Sequence, residues 1–144
     1  MQEPSLSCSK STAESTCRFL WLRSFHHPVS IRVEGNDSSL IPTAVMLDGA
    51  GGYAPGKVLK RVERALSPVE REKLIANLSR IDFWRMETNS GGAGLDGAQW
   101  IMEGVHDGRY HVVDRWSPES GAYREACLLF VELAGISIPA HRIY

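Results

Sequence analysis

The chain has 144 residues, 43% of them hydrophobic and 23% charged, with a formal net charge of −1 at pH 7. That length allows one substantial core and hardly two, so a single globular domain is expected. A charge so near zero removes the electrostatic case for nucleic acid or an anionic membrane surface, and no run approaches the ~20 apolar residues of a membrane-crossing helix.

Residues 1 to 17 are rich in Ser, Thr, Glu and Lys with little to bury, which predicts a disordered tail ahead of a domain over 18–144. The opening MQEPSLSCSKSTAESTCRFLWL lacks the basic and then apolar pattern of a secretory signal, so a cytoplasmic location is expected. Cys8, Cys17 and Cys127 are odd in number and match no metal or disulfide spacing, which fits a reduced compartment. Phe19, Trp21, Arg23 and Phe25 alternate with Leu20, Leu22 and Ser24 and predict a strand, ended by the His26-His27-Pro28 turn. Val29, Ile31 and Val33 predict a second strand with one wet face, and residues 35–39 a loop. Thr43 to Asp48 is a short strand running into DGAGGYAPGK, too dense in Gly and Pro for regular structure. Lys57 to Leu66 fits either a helix stripe or a strand, and is assigned as a strand. Ser67-Pro68-Val69-Glu70 is a capping box with Pro at the first helical position, and its helix should end near Arg80. Phe83 and Trp84 follow as core anchors.

The last third reads GLDGAQWIMEGVHDGRYHVVDRWSPESGAYREACLLFVELAG. Asp107-Gly108 suits a two-residue hairpin turn with positive φ at both positions. The turn then sets Val105 opposite Tyr110, Glu103 opposite Val112, Ile101 opposite Asp114 and Trp100 opposite Arg115. One face carries Trp100, Met102, His111, Val113 and Arg115, and the other Ile101, Glu103, Val105, Tyr110, Val112, Asp114 and Trp116. Ser117-Pro118 is expected to cap a helix running to about Ala134 on a buried stripe of Ala122, Ala126, Leu129, Phe130 and Leu133. V-E-R-A-L-S-P at Val62 to Pro68 resembles V-D-R-W-S-P at Val113 to Pro118, which suggests a duplicated ββα unit and resolves Lys57 to Leu66 as strand. The fold class is therefore α+β: an antiparallel sheet of hairpins with two helices on one face.

LDGAGGYAPGK, the L-S-P before an amphipathic helix, the F-W pair, GLDGAQWIMEG and YHVVDRWSP together resemble a group of small uncharacterised bacterial proteins, over roughly Arg18 to Ile136. The resemblance implies a bacterial origin and a compact α+β domain, and transfers no catalytic residues.

Gly92-Ala93-Gly94-Leu95-Asp96-Gly97 and Gly49-Ala50-Gly51-Gly52-Tyr53-Ala54 match the dinucleotide pattern, but no strand-then-helix context surrounds either. Gly52 to Lys57 ends in Gly-Lys without the Ser or Thr of a P-loop, since Val58 stands there. No cofactor is expected. The histidines lack a metal spacing, so no metal site is expected. Glu103 and Asp114, with His111, are the groups from which a small carboxylate-pair hydrolase would be built, although ordinary charge pairing is the simpler reading of both acids. Trp100 and Arg115 are the expected recognition pair, joined by Tyr53 and Asp96 in the glycine-rich loops. The leading reading is a non-catalytic module that binds another protein through an uncovered sheet face or those loops. The alternative is the hydrolase.

Overall fold

The computed structural model describes residues 5–6, 15–36, 38–51, 53–90, 92 and 94–144. Strands β1 (Ser15–Arg23), β2 (Val29–Asn36), β3 (Ser39–Leu47) and β4 (Val58–Glu63) precede helix α1 (Pro68–Arg80), and strands β5 (Ala98–His106) and β6 (Arg109–Trp116) precede helix α2 (Ala122–Leu133). The six strands form one sheet in the order β4-β3-β2-β1-β5-β6, antiparallel at every pairing. The first four form a meander. The β5-β6 hairpin then returns to the free side of β1, with Phe19 opposite Met102 and Trp21 opposite Trp100.

Side chains alternate along a strand, and one alternate set fills the core. Phe19 and Trp21 of β1, Val29, Ile31 and Val33 of β2, and Trp100, Met102 and Val113 of the hairpin cluster with Leu74 of α1 and with Ala126, Cys127, Phe130 and Leu133 of α2. The aromatic centre is close packed, with the Trp21 and Trp100 rings 4.8 Å apart and Phe19 5.4 Å from Trp100. Phe83, in the 3-10 turn Phe83–Arg85 after α1, lies against β5 where Gly104 has no side chain. A Cβ at Gly104 would stand 2.7 Å from the Phe83 ring.

The hairpin register is the expected one, from Val105 with Tyr110 to Trp100 with Arg115. Asp107 and Gly108 both take positive φ, 50° and 71°, as a primed turn requires. The Ser67 capping box also forms: its hydroxyl accepts from Glu70 N, and the Glu70 carboxylate accepts from Ser67 N. The Arg64 guanidinium and these Ser67 contacts hold the Glu70 carboxyl down at about 2.

Several boundaries differ from the expectations. β2 runs to Asn36 and β3 begins at Ser39 rather than Thr43, so strand takes in most of the expected 35–39 loop, held by the pairs Gly35 with Leu40 and Asn36 with Ser39. The tail assigned to residues 1–17 ends earlier, because Thr16 and Cys17 pair with both β2 and β5, Ser15 pairs with β2, and Thr16 is buried. Leu6 is buried too, outside the main cluster, while residues 1–4 and 7–14 lie outside the described set. Ser117-Pro118 does not start α2, which begins at Ala122 after an N-cap at Gly121. The Ser117 hydroxyl is taken by β5 instead, accepting from Ala98 N at 2.8 Å with the residue at φ 39°. β4 covers only Val58–Glu63 of the longer expected strand, because its ladder to β3 ends at Thr43 with Glu63.

Gly104→Ala should lower the urea midpoint by the equivalent of ~1–3 kcal/mol, the usual cost of forcing a methyl group into a packed core. Ser67→Ala should cost ~1 kcal/mol in the same assay through loss of the cap.

Candidate functional site

The side of the hairpin that carries Glu103 is more finished than the sequence suggests. Glu103 is 8% exposed, and its two oxygens are divided between two partners. Arg18 of β1 donates from Nε at 2.8 Å and from Nη2 to Oε2, and the Tyr110 hydroxyl donates to Oε1 at 2.8 Å. A carboxylate held in this way by a guanidinium and a phenol has most of its acceptor capacity spent within the sheet. Asp114 is two pairing positions further along the hairpin, on the same side, and accepts from the Gln99 side chain at 2.7 Å.

His111 lies with the opposite alternate set, opposite Gly104. Its ring packs edge-on to Phe83 at 5.1 Å and tilted to Trp84 at 6.3 Å. Strand alternation therefore separates His111 from Glu103 and Asp114, so the three groups of the hydrolase reading do not meet. Cys127 is fully buried, and burial pushes its thiol pKa upward, away from a nucleophilic thiolate. Among the described residues, no group of three or more His, Cys, Asp or Glu side chains is placed to hold a metal ion. Likewise, none of the described helices is long and apolar enough to cross a membrane.

Trp100 and Arg115 are paired across the strands as expected, but Trp100 is buried rather than presented at a surface. Trp100 is 0% exposed, its indole N–H donating to Tyr144 O at 2.9 Å and its ring lying 5.3 Å from the Arg124 guanidinium. Arg115 stacks over Tyr123 at 5.6 Å and donates to the carbonyls of Glu87, Thr88 and Asp114. Through these bonds, and through Asp114 N donating to Thr88 O, the 87–89 segment is tied along the outer edge of β6. Trp100 therefore presents nothing to a partner in this state, while the half-buried Arg115 is engaged with backbone carbonyls. The opposite side of the sheet is not an open surface at its centre either, since Thr16, Ser30, Val45 and Glu103 are all buried.

Tyr53 and Asp96 behave differently. Both are exposed, and their loops converge on the end of β1. Gly51 N donates to Arg23 O at 2.9 Å, and the next residue, Ser24, donates from its N to Gly97 O, also at 2.9 Å. The approach at Gly51 needs glycine, because a Cβ there would lie 2.7 Å from Arg23 N. The 49–56 loop is braced further by Asp48, whose side chain accepts from Lys57 N at 2.7 Å, and by a bridge between Ala50 and Ala54. Three large apolar side chains stand within two residues of these anchors: Phe25 at 62% exposure, Tyr53 at 76% and Leu95 at 94%. Sequence reasoning did not single out Phe25 and Leu95. Their signal was an apolar residue inside a turn or a glycine-rich loop, where nothing local could cover it.

No known protein-family model and no curated protein matches the chain.

The Tyr110 phenol is pushed up to about 12, first by burial and then by its hydrogen bond to Glu103. A folded-state value above the unfolded one near 10 means that this contribution to stability is complete below pH ~10 and is lost as the pH rises towards 12. Titration of tyrosinate absorbance should show a late ionisation in the native protein that disappears in Tyr110→Phe. A Tyr110→Phe curve identical to that of the parent would contradict the assigned bond.

Proposed function

We propose that the protein is a non-catalytic binding module that contacts another protein through the end of the sheet formed by its two glycine-rich loops. The observation that carries this reading is the convergence of both loops on Arg23 and Ser24, each loop exposing an apolar side chain within two residues of its anchor, with exposed Phe25 next to Ser24 in sequence. Monomeric proteins seldom expose grouped large apolar residues without a use, and tyrosine is enriched where partners dock. Asp96 adds a charge to the rim of this patch. Backbone bonds and the braced 49–56 loop hold the patch in place, which lowers the entropy lost on binding. The hydrolase alternative has no comparable support, since Glu103, Asp114 and His111 do not converge.

The same reading includes three broader inferences. Both helices cover the same side of the sheet, as their shared cluster with Trp21 and Trp100 suggests. β3-β4-α1 and β5-β6-α2 are copies of one ββα unit, a relation supported by their matching order and by the placement of each hairpin at one edge of the sheet. The chain is a bacterial cytoplasmic protein of the group it resembles.

The test is capture of partners by the folded domain, with Tyr53→Ala, Leu95→Ser as the paired control. Both positions are solvent-exposed, so the melting temperature should hold while a specific partner is lost. A partner retained by that double variant would overturn the proposed surface. Trp100→Ala, by contrast, should lower stability by ~3–5 kcal/mol in urea unfolding, because it empties the centre of the core.

A further inference from the structure

At the opposite end of the sheet from the glycine-rich loops, the start of β1 and the ends of β2 and β5 open into a cavity of about 430 Å3 roofed by α1 and the Phe83–Arg85 turn. Its walls are apolar: Val33 and Leu40 from the sheet, Leu74 and Leu78 from α1, and the Phe83 and Trp84 rings. The polar groups sit around it and are few: Ser15, Asn36, Ser79, Asp82 and His106. Ser15 and His106 are joined by a 2.6 Å hydrogen bond between the hydroxyl and Nδ1, which ties the ends of β1 and β5 together there. Cys17 also lines the space, and burial pushes its thiol up to about 12, so it serves as an uncharged wall.

Two local features build the roof. Gly104 lets Phe83 lie directly on β5. Asp82, the residue that turns the chain from α1 into Phe83, takes a left-handed φ of 50°, a strained conformation for a residue other than glycine. An apolar space of this size, entered past a few polar groups, has the form of a small-molecule site, and its walls lack packing contacts that a bound molecule would restore. The ligand's charge follows from the surrounding groups. Asp82, which lines the space, is paired only weakly with Arg85, 4.0 Å away with both side chains well exposed, so that much of its negative charge stays uncompensated at the cavity's rim.

We propose that this cavity binds a small amphiphile with a ring-sized apolar body and an uncharged or cationic head, held by Leu40, Leu78 and Phe83 and met by Asp82 and the Ser15–His106 pair.

The experiment uses the full chain with N-phenyl-1-naphthylamine, a neutral fluorescent probe, and its anionic relative 8-anilinonaphthalene-1-sulfonate. The neutral probe should bind saturably at one site, at least tenfold more tightly than the sulfonate. Ile75→Trp, which adds bulk at a half-exposed position lining the cavity, should weaken it at least tenfold; Ser79→Trp at the exposed Ser79 replaces it if the melting temperature falls. Asp82→Asn should narrow the preference between the two probes. Tyr53→Ala, Leu95→Ser should bind the neutral probe unchanged, which separates this site from the loop surface. Unsaturable binding, binding unaffected by both tryptophan variants, a sulfonate bound as tightly as the neutral probe, or loss of the site in the loop variant would each overturn the proposal.

Discussion

Two indoles share one carbonyl oxygen: Trp21 and Trp100 both donate to Tyr144 O, at 3.2 and 2.9 Å. A buried indole N–H without an acceptor costs on the order of 1–3 kcal/mol, so the two largest core side chains are compatible with burial only because the 142–144 segment returns to meet them. Arg23 joins the same construction. It is buried over the Trp21 ring at 4.4 Å and donates to His27 O and Arg142 O, and this desolvation lowers its pKa to about 10. The Tyr144 hydroxyl completes it by accepting from Phe25 N and bonding His26 Nδ1 at 2.7 Å. A single constraint therefore fixes the centre of the sheet and the turn that follows β1.

That constraint reaches the proposed binding surface through the backbone. Arg23 O and Ser24 N are the groups on which the two glycine-rich loops are hung, and Phe25 is the next residue. Orientation of Phe25, Tyr53 and Leu95 thus depends on packing about Trp21 and Trp100, although neither tryptophan is exposed. Trp100 matters to function in this account by holding the end of β1 in place.

Local chemistry in the sequence was sufficient for the hairpin register, the Ser67 cap and the antiparallel α+β class. Asp107-Gly108 and S-P-V-E determine their geometry within four residues. Long-range pairing was not legible in the same way. Nothing near Glu103 in sequence announces Arg18, 85 positions away, and nothing near Trp100 announces Tyr144. The same limit explains Ser117, whose motif copies Ser67-Pro68 but whose hydroxyl is claimed by Ala98 across the sheet. Of the expected contact residues, Tyr53 and Asp96 remain at the surface because glycine-rich loops cannot bury them. Trp100 was expected at a surface because an aromatic residue beside a cation on a strand looks alike whether a helix covers it or not.

The most direct measurement is hydrogen exchange at the Trp21 and Trp100 indole N–H groups by NMR, in the full chain and in a chain ending at Ile143. The account predicts that both protons are strongly protected in the full chain, and that both lose protection together when the shared Tyr144 carbonyl is removed, with the amide of Phe25 following. Indole protons that exchange freely in the full chain, or that keep their protection without Tyr144, would contradict it.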